Sequence, residues 1–353
     1  MVREVELHGL ELHELQGLVR TLGEPDYRAN QLFRWLHLQR VTEWAAMTNI
    51  PQKLRRQLAA VASLPSINIL RTLEDPEDGT TKLLLSLPDG ERVECVLMFY
   101  GRGGEARRLT ACLSSQVGCP IGCTFCATGQ GGFRRNLTAG EILLQVMALW
   151  HHLEGRGKGE RISNVVFMGM GEPLLNCEAV LKARRILMHP LGWGIGHRRI
   201  TISTCGIVPQ IKRLARETPP PELAVSLHAT TDAVRNKLVP VNRRYPLGEL
   251  LGACREYTEV SGRRITFEYI LIKGINDSPA DAERLAGLVR DMLAYVNLLV
   301  FNPVPGLEFQ APAAEEVRAF AGRLRRRGVE VAVRESRGCR IAAACGQLRA
   351  EGV

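Results

Sequence analysis

Aromatic residues are scarce in this chain, since Phe, Trp and Tyr together make up 5% of its 353 residues. This low content argues against an extended platform of aromatic rings for stacking on nucleic-acid bases. No uninterrupted apolar stretch approaches the about 18 residues that a membrane-spanning helix needs. The N-terminus, MVREVELHGLELHEL, is charged and lacks the apolar core of a secretory signal. These absences predict a cytoplasmic protein with no membrane-spanning segment.

Cysteine is sparse by the standard of secreted domains, with 10 residues in the whole chain. That number is too small for a disulfide scaffold, and a disulfide in the cytoplasm is more often transient and catalytic than structural. Hydrophobic residues at 45% and charged residues at 24% are typical of a globular protein with a substantial core. The net charge of +9 is compatible with a polyanionic partner and equally with an Arg-rich solvated surface.

Two small units precede the main part of the chain. Residues 1–63 contain short apolar stripes at helical spacing, such as Leu54, Leu58 and Val61, and predict a small helical domain. From 64 to 108 the apolar period changes to that of strands. Asp-Gly pairs at 78–79 and 89–90 predict the turns of a β-meander extension.

From residue 109 to 334, predicted strands alternate with predicted helices. The strands are expected at 109–114, 163–168, 199–203, 222–227, 264–272, 296–301 and 329–334. The helices between them are expected at 138–152, 177–188, 207–217, 247–260, 279–293 and 313–327. Alternation implies parallel strands with right-handed crossovers, so we predict an α/β fold with a partial (β/α)6 barrel followed by a tail at 335–353. Chemistry is expected at the C-terminal ends of the strands.

Three cysteines lie within eight residues, in the order Cys119-Pro-Ile-Gly-Cys123-Thr-Phe-Cys126. Thiolates bind soft metals and iron–sulfur clusters. A structural zinc site normally has four ligands, and no fourth ligand occurs here at zinc spacing. Three thiolates on a four-iron cluster leave one iron free to bind a small molecule, so the spacing favours a reactive cluster. A zinc knuckle that uses one remote ligand is the alternative.

The surroundings of this triplet are similar to those of a known family. Residues 111–119 read ACLSSQVGC, residues 132–137 read GFRRNL, and residues 343–348 read AACGQL. The triplet alone is shared by many radical SAM enzymes, but the three segments together resemble the RlmN/Cfr family of rRNA adenine methyltransferases over nearly the whole chain. The resemblance implies a partial barrel of radical SAM type. It also implies one 4Fe-4S cluster on the three cysteines and S-adenosyl-L-methionine (SAM), two molecules per turnover.

Several strand ends carry residues that match the SAM-contacting positions of this family. The matching residues are Gly171, Glu172, Ser203, Ser226, Leu227, His228 and Asn302. Glycine at a strand end permits close approach of the backbone to a ligand, and the Glu172 carboxylate suits the SAM ammonium. A single Ser or His at a strand end more often has a structural role, so this prediction depends on several of them sharing one edge.

The resemblance also assigns chemistry to two distant cysteines and one carboxylate. It implies that Cys345 accepts a methyl group from one SAM, and that a radical made from a second SAM removes a hydrogen atom from this methyl. The carbon radical adds to adenine, Glu94 removes the ring proton, and Cys112 releases the adduct by forming a disulfide with Cys345. The residues alone also permit simple packing for the two cysteines and a solvent-facing position on an edge strand for Glu94.

The tail departs from the family pattern at two positions. Arg340 and Ala342 stand where acidic residues are expected, which predicts positive charge beside the Cys345 thiol. Tail docking and substrate identity are the properties that this change affects. The remaining five cysteines show no ligand spacing and are interpreted as packing residues: Cys95, Cys177, Cys205, Cys254 and Cys339.

Pairs and triplets of arginine are candidates for phosphate contacts, and we expect one or two of them to touch RNA. They lie at 134–135, 198–199, 243–244, 263–264 and 325–327. The resemblance favours an RNA contact for the N-terminal helical domain as well, against a purely structural appendage.

The resemblance implies methylation of adenine at C2 in 23S rRNA near the peptidyl transferase centre and, as a second substrate, of the adenine 3′ of the tRNA anticodon. The expected partners are 23S rRNA, tRNA and an electron donor such as flavodoxin or ferredoxin, and the chain is expected to act as a monomer. Three alternatives remain: C8 methylation as in the Cfr branch, a radical SAM activase of a protein partner, and a non-catalytic iron–sulfur or zinc protein that binds RNA.

Overall fold

The computed structural model describes residues 5–101, 108–157 and 160–350. The outer ends of the first and last predicted domains, and residues 102–107 of the predicted meander, therefore lie outside the described residues. No helix in the described part of the chain is long and apolar enough to cross a membrane.

The N-terminal unit is helical, as its apolar stripes predict. Two short parallel strands, β1 (Val5–Glu6) and β2 (Ala62–Ser63), bracket helices α1 (Leu12–Thr21), α2 (Tyr27–His37) and α3 (Gln52–Ala59). The apolar faces of these helices are fully buried in a common core: Leu15, Val19, Leu32, Phe33, Leu36, Leu54 and Leu58. Removal of that much apolar surface from water, rather than helix propensity, holds such short helices together.

The predicted meander is present and continues into the main sheet. Strands β3 (Asn68–Glu74), β4 (Thr81–Ser86), β5 (Arg92–Tyr100) and β6 (Arg108–Cys112) pair antiparallel in that order. Gly79 and Gly90 have φ values of 73° and 86° in the first two turns, a conformation that costs glycine little.

A hairpin and a short helix surround the cysteine triplet. Strands β7 (Gln116–Gly118) and β8 (Phe133–Asn136) pair antiparallel, and helix α4 (Ala127–Gln130) lies between them in sequence. The sequence pattern did not predict these elements, because each is shorter than the window over which apolar periodicity is readable.

The main domain alternates strands and helices as predicted. Its elements are α5 (Ala139–Gly155), β9 (Asn164–Phe167), α6 (Cys177–Met188), β10 (Ile200–Thr204), α7 (Val208–Leu214), β11 (Glu222–Ser226), α8 (Asp232–Leu238), α9 (Leu247–Ser261), β12 (Ile265–Leu271), α10 (Pro279–Val289), β13 (Ala294–Val300), α11 (Ala314–Arg326) and β14 (Val331–Arg334). Strand β6 and strands β9–β14 are parallel neighbours, so with the meander they form one ten-stranded sheet in the order β14-β13-β12-β11-β10-β9-β6-β5-β4-β3. This open sheet with helices between its parallel strands confirms the predicted fold class.

Two predicted helices extend several residues too far at their C-terminal ends, and one helix was not predicted. Helix α7 is shorter than the predicted 207–217, and α10 ends before the predicted 293. Helix α8 was not predicted, since its seven residues span only two turns. A capping box opens α5, because Glu141 N donates to Thr138 Oγ1 at 3.0 Å and Thr138 N donates to Glu141 Oε2 at 2.9 Å.

Candidate active site

The cysteine triplet lies on a loop that the hairpin clamps at both ends. Cys119 N donates to Gly132 O at 2.8 Å across the two strands. Gly118 has a φ of 74°, and a Cβ at this position would lie 2.0 Å from the same Gly132 oxygen. Only glycine therefore permits the close backbone approach that begins the loop.

The three cysteines share one cavity with most of the predicted SAM-binding residues. The cavity has about 880 Å³ including its open mouth, and its lining includes Cys119, Cys123, Cys126, Gly171, Glu172, Ser203, Ser226, His228 and Cys345. Two predicted residues lie elsewhere: Asn302 lines an adjoining cavity, and Leu227 is fully buried in the core. Parallel strands that end at one edge of the sheet bring the rest together, as the strand-end pattern predicts.

Glu172 is a buried carboxylate at the centre of this lining. It is 2% exposed, and burial raises its pKa. Its Oε1 accepts a hydrogen bond from Leu174 N at 3.0 Å, and its Oε2 accepts one from Cys205 N at 2.7 Å. Each oxygen retains acceptor capacity, so the side chain is held in place and still able to bind a cationic group.

His228 has a fixed orientation in the same wall. Its backbone φ is 58°, an uncommon value for a residue with a side chain. Its Nδ1 accepts a hydrogen bond from Ile270 N at 3.1 Å, and its ring meets Phe125 edge to face. Burial lowers its pKa to about 3, so the ring is neutral and presents an Nε2–H donor.

Arg235 organises the strand ends beneath the cavity, and it belongs to no recognisable sequence motif. Its guanidinium is fully buried and donates to the main-chain oxygens of Cys205, Ser226 and Leu227 at 2.6, 3.1 and 3.0 Å. A fourth bond goes to Asn242 Oδ1 at 2.9 Å. A buried charge with this many acceptors fixes the ends of β10 and β11 relative to each other.

Cys112 and Cys345 line one adjoining cavity of about 810 Å³ including its mouth. Cys112 ends β6, while Cys345 belongs to the tail and also lines the larger cavity beside the triplet. Both are free thiols. Burial raises the pKa of Cys112 to about 12. The pKa of Cys345 is also raised, because surrounding protein partly desolvates its thiol, although the residue itself is solvent-exposed at the cavity mouth. The structure thus places in one cavity the two cysteines that the family resemblance pairs.

Two charged residues of the sheet act on the Cys345 thiol in opposite directions. The positive charge of Arg334 lowers the pKa of this thiol, and the negative charge of Glu268 raises it. Arg334 Nη2 donates to Tyr100 Oη at 3.2 Å, and its Nη1 lies 3.9 Å from Glu268 Oε1. Glu268 Oε2 is buried without a hydrogen-bond partner and belongs to the lining of the triplet cavity. Sequence reasoning missed both residues, because they are ordinary members of β14 and β12 until the tail folds against them.

Glu94 is buried beside the tail but does not line either of these cavities. It is 6% exposed, so the solvent-facing alternative is wrong. Its Oε1 lies 2.9 Å from Lys82 Nζ, and its Oε2 accepts a hydrogen bond from Arg349 N at 2.9 Å. It lines a separate cavity with Lys82 and the tail residues Ala342 and Gln347.

The tail is docked along its length despite the two departures from the family pattern. Ala127 N donates to Gly346 O at 2.7 Å, and Thr128 Oγ1 donates to Leu348 O at 2.5 Å. The carbonyl of Ala342 accepts a hydrogen bond from Lys82 Nζ at 3.0 Å, so a positive side chain holds the position where an acidic residue was expected.

Arg340 is not the cation beside the Cys345 thiol, contrary to the sequence-based expectation. Its guanidinium is solvent-exposed and pairs with Glu77 at 2.9 Å. The cation that faces the thiol is Arg334, on the last strand of the sheet.

Three of the five predicted arginine clusters contain ion-paired members. One or two of the five clusters were expected to touch RNA and the others to be solvated or paired, and acidic partners lie beside 134–135, 263–264 and 325–327. Within the described ranges the pairs at 198–199 and 243–244 are exposed and have no acidic partner within salt-bridge distance. Arg199 directly precedes β10, at the edge of the sheet opposite the cavities, whereas 243–244 follows α8, whose Leu238 O accepts a hydrogen bond from Thr124 N of the cysteine loop.

The thiols of the triplet fit an iron–sulfur cluster better than a single ion. They line one cavity, and burial raises the pKa of both Cys119 and Cys126. No three His, Cys, Asp or Glu side chains in the described residues converge on a point that would hold one metal ion. A zinc knuckle needs such convergence, whereas each thiolate of a multi-iron cluster binds a different iron.

The parallel part of the sheet begins with β6, and the three-cysteine loop follows this strand. This arrangement is that of a radical SAM enzyme, and comparisons with known proteins agree. The radical SAM superfamily matches residues 113–286, and the ribosomal RNA large subunit methyltransferase N-terminal domain matches residues 5–64. The crystal structure of a radical SAM methyltransferase from Sphaerobacter thermophilus superposes with a TM-score of 0.93, at 48% identity, over 98% of this chain and 100% of that chain.

Full-length relatives narrow the class to one family. A protein of Moorella thermoacetica named "Probable dual-specificity RNA methyltransferase RlmN" is 58% identical over 350 residues, covering 99% of this chain and 98% of the relative. A Syntrophobacter fumaroxidans protein named "Dual-specificity RNA methyltransferase RlmN" is 47% identical over 340 residues, covering 96% of each. The chain belongs to the RlmN family of radical SAM RNA methyltransferases.

Family membership confirms the predicted class of enzyme. It implies a 4Fe-4S cluster and SAM, and it sets aside both the protein activase and the non-catalytic RNA-binding protein. The residues that would carry the chemistry remain predictions.

Proposed function

We propose that this enzyme methylates adenine at C2 in 23S rRNA and in tRNA at the adenine 3′ of the anticodon. The names of the full-length relatives, which specify RNA methylation with dual specificity, support this substrate class. The single observation that carries the proposal is the position of Cys345. This residue lines both the cavity of the cysteine triplet and the cavity of Cys112. An ordinary displacement methyltransferase needs neither a cysteine triplet nor a second thiol beside the first.

In this proposal Cys119, Cys123 and Cys126 hold the cluster, and the strand-end residues hold SAM. The bound cluster supplies the electron that cleaves a C–S bond of SAM. Glu172 binds the ammonium of SAM, since its carboxylate is buried, oriented by two main-chain donors and still has acceptor capacity. His228 presents a neutral Nε2–H donor to the same cavity.

Cys345 carries the methyl group between SAM and RNA. Its thiolate first displaces the sulfonium of one SAM, which leaves a methyl group on Sγ. A hydrogen atom is then removed from this methyl by the radical made from a second SAM, so each turnover consumes two molecules. The S–CH2 carbon adds to the adenine ring, because a ring carbon of this kind is electrophilic and cannot attack a sulfonium methyl itself.

Cys112 resolves the protein–RNA adduct. Its thiolate attacks Cys345 Sγ, which breaks the Sγ–CH2 bond, and the released carbon takes up a proton to become the methyl group. A disulfide remains between the two residues, and the one unpaired electron of the adduct would pass back to the oxidised cluster. Both thiols line one cavity, which supports this pairing, and their raised pKa values mean that a nearby cation must favour the thiolate. Arg334 is that cation for both.

Glu94 acts as the proton acceptor in this proposal. Lys82 holds Oε1, while Oε2 accepts a hydrogen bond from the main chain of the tail at Arg349, so a movement of the tail that accompanies RNA binding would expose Oε2 to the base. The enzyme acts in the cytoplasm as a monomer, where flavodoxin or ferredoxin supplies electrons and the disulfide is reduced again. The N-terminal domain contributes to RNA binding.

The test is anaerobic turnover of the reconstituted enzyme with fragments of 23S rRNA and with tRNA, followed by nuclease digestion and mass spectrometry. We expect 2-methyladenosine from both RNAs, and none from the Cys345→Ala variant. An 8-methyladenosine product would overturn the C2 assignment in favour of Cfr-like chemistry. Unchanged methylation by the Cys345→Ala variant would overturn the role of the tail cysteine.

A further inference from the structure

A fourth thiol lies next to the cysteine triplet, at a position that the sequence interpreted as packing. Cys205 directly follows β10, and its Sγ lies 3.9 Å from Cys123 Sγ. It lines the same cavity as Cys119, Cys123 and Cys126. Charge on Cys205 also raises the pKa of both Cys119 and Cys126. This thiol is therefore a neighbour of all three members of the triplet.

The main chain of Cys205 is fixed on both sides, which determines where its thiol lies. Its N donates to Glu172 Oε2 at 2.7 Å, and its carbonyl accepts a hydrogen bond from the buried Arg235 Nη2 at 2.6 Å. The thiol is therefore held between the triplet and the carboxylate that we assign to the SAM ammonium. If Glu172 binds the ammonium of SAM as proposed, SAM would lie on the same side of the triplet as Cys205.

We propose that Cys205 is a displaceable fourth thiolate ligand of the cluster, bound while SAM is absent and released when the amino and carboxylate groups of SAM take its place. This inference rests on the proposed cluster site at Cys119, Cys123 and Cys126. On binding, the Cys205 thiol loses its proton to solvent and forms one iron–sulfur bond. On release that bond breaks, the thiolate regains a proton, and no electron is gained or lost in either direction. A cluster with four thiolates is closed to small oxidants between turnovers.

A displaceable ligand and a merely structural cysteine predict opposite effects on SAM affinity. If Cys205 competes with SAM, part of the wild-type protein is in the thiolate-bound state, which cannot bind SAM. Removal of Cys205 abolishes this state, so the apparent dissociation constant of SAM falls. If Cys205 only supports the wall of the cavity, its removal loosens Glu172 and SAM binds more weakly. The sign of the change separates the two.

The experiment compares the full-length, anaerobically reconstituted wild type with the Cys205→Ala and Cys205→Ser variants. Cys254→Ala is the control, since Cys254 is buried in α9 and does not line the cavity. Electron paramagnetic resonance of the dithionite-reduced cluster is recorded without SAM and during a SAM titration, and iron loss to a chelator is timed.

We expect the SAM-free spectrum to differ between wild type and both Cys205 variants, and the SAM-saturated spectra to coincide. Iron loss without SAM should be about tenfold faster in Cys205→Ala, the usual scale for losing one group from a metal environment. The SAM dissociation constant of this variant should fall, and the Cys254→Ala variant should match wild type throughout.

Superimposable SAM-free spectra with equal rates of iron loss would overturn the inference while leaving the proposed function intact. Weaker SAM binding by Cys205→Ala, or a Cys123–Cys205 disulfide in peptide maps of the active holoenzyme, would overturn it as well. A wild-type protein that takes up zinc without iron would overturn both the inference and the proposed cluster.

Discussion

Replacement of Arg334 by Gln tests whether the sheet activates the tail thiol. Arg334 opposes the effect of burial on the pKa of Cys345, and its guanidinium is held by Tyr100 and Glu268. Two unit charges roughly 6 Å apart at an effective dielectric constant of about 20 interact by about 3 kcal/mol, and solvent in the open cavity reduces this to roughly half. Loss of the charge should therefore raise the pKa of Cys345 by about one, since 1.36 kcal/mol corresponds to one pKa unit.

The assay is the rate of alkylation of Cys345 by iodoacetamide as a function of pH, read by mass spectrometry of the tail peptide. Only the thiolate reacts, so below the pKa the Arg334→Gln variant should react about tenfold more slowly than wild type. The rate should recover at a pH about one unit higher. Arg340→Gln is the matched control, because Arg340 pairs with Glu77 on the surface and should leave the profile unchanged.

Glu268→Gln gives the opposite sign in the same assay. The negative charge of Glu268 raises the pKa of Cys345, so its removal should lower that pKa and accelerate alkylation near neutral pH. The difference should disappear as the pH falls below the pKa of Glu268, which burial raises above its ordinary value. An unchanged profile for Arg334→Gln, or shifts of equal sign for both variants, would refute the electrostatic account of the thiol.

Three further substitutions probe other parts of the site. Arg235→Gln should lower the free energy of unfolding by about 3 kcal/mol or more, because several buried oxygens lose a charged donor; an unchanged melting temperature would contradict this. If the exposed pair at 243–244 contacts an RNA phosphate, Arg243→Gln should reduce the slope of log K against log salt for RNA binding by about 0.7, whereas Arg198→Gln at the opposite sheet edge should not. Equal slopes for the two variants would refute a phosphate contact at 243–244. Gly118→Ala should destabilise the hairpin by at least about 2 kcal/mol and lower iron content after reconstitution, since its Cβ would lie 2.0 Å from Gly132 O; a fully loaded, equally stable variant would exclude the clash.

The sequence predicted the parts of the site that depend on strand order. Once alternating strands and helices are recognised, Glu172, Ser203, Ser226 and His228 must lie at one edge of the sheet, and the cavity contains all four. Joining Cys112 to Cys345 required the family resemblance, because nothing in their spacing along the chain relates them.

Residues whose role depends on three-dimensional neighbours could not be predicted in this way. Cys205 has no ligand spacing, and only the meeting of β10 with the cysteine loop makes it a neighbour of Cys123. Arg235 lies on a helix too short for its period to be recognised, and its importance comes from the carbonyls that surround it. Arg340 illustrates the converse, since a charge close to Cys345 in sequence lies on the surface because the tail turns there.

The most direct test of the central claim is anaerobic turnover with an rRNA fragment and SAM whose transferable methyl group carries three deuterium atoms. If the methyl group passes through Cys345 as a methylene, the methyladenosine product retains two deuterium atoms, and one appears in 5′-deoxyadenosine. Retention of all three deuterium atoms in the product would mean direct displacement from SAM and would contradict the account.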